Sequence, residues 1–373
     1  MPVITIAGDL APLRRNQAVF ESKSFRSLVE LGLVPSGGMV VANLECPLTD
    51  SGVAIIKGGP ALRAPARLAG AIRDFGIAAV SLANNHIMDF GAAGLDETIT
   101  SLSREGVRWF GAGTTFNEAV KPLAVDCGGT RLELYGFAEK EYNSATERTA
   151  GTSPLEVSTL VRALNGATAD SFVAVLLHAG NEYFEYPNPW LRDTCRLAVE
   201  LGAKVVVCQH SHCIGSYELY AGGLIVYGQG NFVLDYDTDR PGFWNGLLVQ
   251  LHVERRELKE FKFVPFRQDP GAGVLAALEG DAKDELLAAF EGRSKVLLDE
   301  QLYLSKWDQF CEQNRRNYQA HLFGLGRLTR KANKLLGFCD LVPRDGQRNI
   351  GNALRCQSHL EVLRHLYSRE KTC

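Results

Sequence analysis

A chain of 373 residues with 46% apolar and 22% charged residues has the make-up of a globular protein, long enough for one α/β domain and an appendage. Its net charge of −3 is unevenly spread: residues 310–373 hold twelve Lys/Arg against five Asp/Glu, leaving about −10 on residues 1–309 and no generally basic body for nucleic acid. Nine cysteines without a CxxC pair fit reduced thiols rather than a disulfide scaffold. The opening MPVITIAGDL has no basic or long apolar leader, and no apolar run approaches the ~18 residues of a membrane span. A cytoplasmic protein is expected.

In chain order, residues 3–6 read as a strand running into Gly8-Asp9, and residues 39–42 as a second running into Asn43-Leu44-Glu45. A helix is expected over 65–74. Residues 78–82 form a third strand, ending at Ala83-Asn84-Asn85-His86, with a helix over 92–105 behind it. A helix over 156–165 precedes a strand at 172–177 that ends at His178. A further helix, 189–201, precedes a strand at 205–208 that ends at Gln209-His210-Ser211-His212. Strands written as continuous apolar runs are buried on both faces, as in an α/β sheet. Two antiparallel pairs follow, 216–220 with 224–227 and 247–253 with 258–264. Gly271-Ala272-Gly273 reads as a boundary, beyond which only helices are expected, over 282–290, 296–317 and 354–367. The domain reading is therefore 1–270 followed by a mostly helical extension, 271–373.

Five strand ends carry residues that bind metal or handle protons: Asp9, Glu45, Asn85-His86, His178, and His210 with His212. In open α/β sheets a site lies beyond the carboxyl ends of the strands, so groups far apart in sequence converge on one edge. A lone His or Asp there is usually a cap or turn residue. Four of the eight histidines in three such clusters, beside Asp9, Glu45 and Asn85, point instead to a metal site. Carboxylate, amide and imidazole together suit one or two divalent ions of the Mn, Zn or Fe kind, and a paired site clamps a phosphoryl group while generating a hydroxide nucleophile. Cys46, Cys208 and Cys213 lie nearby, but strand-end cysteines are usually small buried hydrophobes.

These blocks resemble the CapA (poly-gamma-glutamate capsule synthesis) family. The resemblance is carried by GD at Gly8-Asp9, NLE at 43–45, ANNHxxDxG at 83–91, HxGxEY at 178–183, HxH at 210–212 and YxxGNF at 227–232. It runs from residue 3 to about 265, and that family is similar to calcineurin-like metallophosphoesterases. The implied fold is a metallophosphoesterase-like mixed-sheet sandwich, four-layer α/β/β/α, with a helical C-terminal extension. The implied roles put Asp9 and His212 on a first ion, Asn85, His178 and His210 on a second, and Glu45 between them. His86 takes the place of the acid that protonates the leaving group, oriented by Asp89. Glu182 and Asn231 are candidate substrate-binding residues, with a helix cap or surface ion pair, and a plain turn, as their alternatives. Phosphoesterases usually begin Asp-x-His, whereas Ala11 stands here and offers no ligand. Lys57 and Arg63 flank a Gly-Gly-Pro segment that could carry positive charge over an anionic substrate, though a solvated loop is the default reading.

The resemblance does not cover the last hundred residues. Arg315, Arg316, Arg327, Arg330, Lys331 and Lys334 are interleaved there with Leu322, Phe323, Leu325, Leu328, Leu335 and Leu336. That mixture suits weak contact with a membrane surface or an acidic polymer; an appendage with packed leucines and solvated arginines is the favoured reading. The function implied is metal-dependent hydrolysis of a phosphate ester on an anionic small-molecule or polymer substrate, in capsule or polysaccharide biosynthesis, with no specific nucleic acid. The alternatives are a non-hydrolytic component of an envelope-polymer assembly system and a metal-dependent amide hydrolase.

Overall fold

The architecture is that of a computed structural model, which describes residues 2–50, 52–57, 59–240, 242–269, 274–322, 327–337, 350 and 354. The strands are β1 (Val3–Ala11), β2 (Met39–Leu44), β3 (Ala79–Ser81), β4 (Arg108–Phe110), β5 (Ala112–Gly113), β6 (Leu123–Cys127), β7 (Thr130–Ala138) and β8 (Gly151–Thr152). They continue as β9 (Phe172–His178), β10 (Val205–Gln209), β11 (Tyr217–Tyr220), β12 (Gly223–Val226), β13 (Asn231–Leu234), β14 (Asn245–Glu254), β15 (Glu257–Asp269) and β16 (Val274–Ala277). The helices are α1 (Arg15–Ser22), α2 (Ala69–Phe75), α3 (Gly91–Arg104), α4 (Phe116–Ala119), α5 (Val157–Asn165), α6 (Pro189–Glu200), α7 (Gly280–Val296), α8 (Glu300–Leu322) and α9 (Arg327–Leu336).

Among the described residues one sheet runs β16-β15-β14-β1-β2-β3-β4, with β13 also on β1, and a second runs β11-β12-β10-β9-β7-β6. Alternation of side chains along the strands explains the layering. Ile4 and Ile6 of β1 and Val41 of β2 point inward to meet Leu134, Leu176 and Val207 of the second sheet. On the outer face of the first sheet, Leu10, Val40 and Ala42 pack against Phe20, Ile72, Phe75 and Leu95 of the helices. Val173, Val175, Leu177 and Val206 of the second sheet pack on Leu160, Leu191, Cys195 and Ala198. The result is the expected four-layer α/β/β/α sandwich, and each large apolar side chain it removes from water contributes about 1.5–3 kcal/mol.

The helices fall where their apolar spacing puts them. α6 starts at Pro189 because the Asn188 side chain caps it, accepting from Leu191 N at 2.8 Å. The helix expected over 65–74 begins as a short 3₁₀ turn, Ala66–Leu68, before α2. Three features differ from the expected pattern. β6 and β7 form a hairpin across Gly128-Gly129. β13 adds a parallel partner to the upper half of β1. β16 pairs with β15 beyond residue 270, where only helices were expected.

The chain divides into two compact units, Met1–Tyr303 and Leu304–Cys373. The first extends past residue 270 because α7 buries Phe290 between the sheets. Tyr303 is also buried, its hydroxyl donating to Pro187 O at 3.1 Å under the Arg192 guanidinium. In the second unit, Leu335 and Leu336 on α9 are exposed; Phe323, Leu325 and nearly all of the helix expected over 354–367 lie outside the described residues. No helix among the described residues is long and apolar enough to cross a membrane.

β1 passes β13 at close quarters, and a Cβ on Gly8 would overlap the Gly230 carbonyl oxygen. Gly8→Ala should therefore lower the unfolding free energy by about 2–3 kcal/mol, read from the denaturant midpoint; an unchanged midpoint would show that the two strands can part without cost.

Candidate metal centre

The parallel strands β1, β2 and β3 of the first sheet, and β9 and β10 of the second, end at one edge of the sandwich. Asp9 lies inside β1 rather than past its end, where the pairing register shifts against both β2 and β13. That irregularity turns the Asp9 carboxylate to the edge. Glu45 follows β2 directly, Asn85 and His86 follow β3, His178 closes β9, and His210 and His212 follow β10. His210 and His212 hold positive φ values of 88° and 52°, a strained backbone that only surrounding structure can maintain. The two sheets are tied beneath the site by Gln209 of β10, whose amide donates to Ala7 O of β1 at 3.1 Å, while Gln229, between β12 and β13, donates to Ile6 O at 2.8 Å.

Two groups of ligand atoms result, Glu45–His178–His210 and Asp9–Glu45–His212, each lying within 4.8 Å of one another. Glu45 belongs to both. His178 Nε2 lies 3.0 Å from Asn85 Oδ1, 3.1 Å from His210 Nδ1 and 3.4 Å from Glu45 Oε1. On the other side, Asp9 Oδ2 is 3.5 Å from His212 Nδ1, and His212 Nε2 is 3.8 Å from Glu45 Oε1. All six ligands expected from the sequence, Asp9, Glu45, Asn85, His178, His210 and His212, are thus brought together.

Electrostatics test whether cations fit. Both Glu45 oxygens are buried without a hydrogen-bond partner, which is costly for a carboxylate unless a cation faces it. Burial, then Asp9, Glu182 and Asp89, lift the Glu45 carboxyl well above its usual 4.5, with only Lys57 opposing. Burial also raises Asp9, partly offset by His212 and Asn43. Burial, then the neighbouring imidazoles, depresses His178 strongly and His210 to about 3, so both rings are neutral with lone pairs available. Orphaned carboxylate oxygens converging with neutral imidazoles form a donor set that could hold divalent metal ions. Cysteine is absent from both groups, and burial holds the Cys213 thiol up at about 12.

Neighbouring amides orient the ligands. Asn43 Nδ2 donates to Asp9 Oδ1 at 2.8 Å and lies 3.2 Å from His178 Nδ1. Asn84 Nδ2 donates to Asn43 Oδ1 and Leu44 O, while its oxygen accepts from the backbone of His86 and Ile87. Both residues sit inside the NLE and NNH blocks. Asn231 requires a correction. It is fully buried, its Nδ2 donates to Phe243 O, and its Oδ1 accepts from His212 Nδ1 at 2.8 Å. It therefore fixes the His212 tautomer with the Nε2 lone pair free, from a position closed to substrate by its burial.

His86 stands apart from both ligand groups. Its Nδ1 lies 2.7 Å from Asp89 Oδ2, as expected, and Asp89 also accepts from Leu62 N at 2.7 Å. Lys57 ion-pairs with the other Asp89 oxygen and is only 4% exposed, so the loop reading of Lys57 as a solvated charge is replaced by a buried clamp. A pocket of about 210 Å³ opens over these groups, lined among others by Arg14, Glu45, His86, Glu182, Tyr183 and His212. Glu182 thus reaches the pocket wall. Ala11 does not: it pairs with Leu234 and is packed in the apolar layer beneath the helices.

Metal-free stability follows from the Glu45 proton. Between pH 4.5 and the raised value the folded chain holds a proton that the unfolded chain has lost, so stability is greatest below that window and falls as pH rises through it. Glu45→Gln should raise the melting temperature of the chelated protein at pH 7, flatten its pH dependence and abolish metal uptake. A lower melting temperature in chelator would contradict the burial argument.

A family profile described as bacterial capsule synthesis protein PGA_cap matches residues 3–236. The chain is 29% identical over 210 residues to the capsule biosynthesis protein CapA of Bacillus anthracis, covering 54% of this chain and 50% of that protein. It is 28% identical over 198 residues to the PGA biosynthesis protein CapA of Bacillus subtilis, covering 52% of each. The chain thus spans about half the length of the curated relatives it matches. Among solved structures, a hypothetical protein from Thermus thermophilus aligns with a TM-score of 0.45 at 14% identity, over 72% of this chain and 100% of that one.

Proposed function

The chain belongs to the bacterial capsule synthesis family PGA_cap, and from that premise we propose that it is a metal-dependent hydrolase of a phosphate ester, acting in capsule or poly-gamma-glutamate biosynthesis. The observation that carries the reading is the placing of His86 in the same pocket as Glu45 and His212 while it belongs to neither ligand group. A site that only binds has no use for such a residue.

Asp9 and His212 would hold one ion, Asn85, His178 and His210 the other, with Glu45 shared. When bound, the ions supply positive charge that polarises a phosphoryl oxygen and acidifies water. The chain's own groups do the rest. Asn43 and Asn231 fix the carboxylate and imidazole orientations before substrate arrives. Asp89, pinned by Leu62 N and Lys57, holds His86 through Nδ1 and leaves Nε2 to hand a proton to the departing oxygen. Burial of the centre strengthens each of these interactions.

His86→Ala should cut turnover of bis-p-nitrophenyl phosphate or p-nitrophenyl phosphate by about 10²–10⁴ while keeping the metal content of the parent protein. His178→Ala should lose both metal and turnover, as measured by elemental mass spectrometry beside the assay. Unchanged turnover in His86→Ala would remove the acid from the reading, and absence of turnover in the parent protein on either ester would favour amide hydrolysis or polymer binding.

A further inference from the structure

The His212 ring is one member of an arc of aromatic rings that climbs from the floor of the pocket to its mouth. Its centroid lies 6.1 Å from Tyr183 and 6.5 Å from Phe243, and Phe243 lies 6.4 Å from Tyr236. Tyr183, Phe243 and Tyr236 all line the pocket. A guanidinium rests on each end: Arg240 lies 3.7 Å from the Tyr183 centroid, and Arg14 lies 5.0 Å from that of Tyr236.

Two further facts mark these arginines out. Asp235, next to Tyr236, is taken bidentately by Arg15 at 3.0 and 2.6 Å. Among the described residues neither Arg14 nor Arg240 has a carboxylate within 4.0 Å. Arg14 itself and Tyr183, the ring under Arg240, are also held under strain, with positive φ of 53° and 61°. A guanidinium stacked on a ring keeps its edge N–H groups in a planar fork suited to a phosphate or carboxylate. Burial, then Glu182, raises the Tyr183 hydroxyl, and the Arg240 guanidinium opposes them.

We infer that Arg14 and Arg240, held on the Tyr183–His212–Phe243–Tyr236 arc, bind a second anionic group of the substrate. The substrate is then a chain with anionic groups at separated points, one at the ions and another at the rim. This inference rests on the metal-centre reading of the pocket floor. Carboxylates and phosphodiesters share the required chemistry.

Titration calorimetry on the full Mn(II)-loaded chain separates the possibilities, with inorganic phosphate, γ-linked tetraglutamate and a glycerol-phosphate trimer as probes. At least one oligomer should bind more tightly than phosphate. R14Q/R240Q should weaken that oligomer at least tenfold more than it weakens phosphate, and R14K/R240K should recover part of the loss. The oligomer that responds tells a polycarboxylate from a phosphodiester chain. Oligomers no tighter than phosphate, or an equal loss for all three probes, would overturn the inference. If phosphate fails to bind the parent protein while the oligomer still weakens in R14Q/R240Q, the ion-bearing floor is contradicted and the rim upheld.

Discussion

The Glu45 carboxylate is buried at the edge where two sheets meet, and neither of its oxygens has a hydrogen-bond partner. An ionised carboxylate in such a place, with Asp9 beside it, is tolerable only opposite positive charge. The rest of the site answers that constraint. β1 and β2 supply the two acids from one sheet, β9 and β10 bring three imidazoles from the other, and the Gln209 side chain beneath ties β10 to β1. His178 and His210 stay neutral because they are buried, so they bring lone pairs rather than positive charge to the acids. A site divided between two sheets also depends on the inter-sheet core, where Ile4, Ile6 and Val41 meet Leu134, Leu176 and Val207.

The loss of a ligand at position 11 takes on a different meaning in this setting. Ala11 continues β1 into the apolar layer, paired with Leu234, and the first ligand group closes through Asp9, Glu45 and His212 without it. The reach of glutamate, one methylene longer than aspartate, lets a single carboxylate serve both groups.

Much of this was legible in the sequence because the ligands stand at the ends of continuous apolar strands, and strand ends in an α/β sheet share an edge. His178 after 172–177 and His210 after 205–208 are local patterns that survive folding unchanged. What escaped were residues whose role depends on partners far along the chain. Asn231 reads as a substrate-binding or turn residue until β13 is seen beside β1, which places its amide on His212. Lys57 reads as a loop charge until Asp89, far along the chain, closes over it. Arg14 and Arg240 gain meaning only from tyrosines that approach them in space. β16 was missed because a glycine-rich stretch precedes a strand too short to show a period.

Anomalous diffraction from a crystal of the protein grown with Mn(II) tests the central claim, that Glu45 is shared between two cations. The account predicts two anomalous peaks about 3.5–4 Å apart, one beside Asp9 and His212, the other beside Asn85, His178 and His210, with Glu45 between them. A single peak, or none in contact with Glu45, would contradict it.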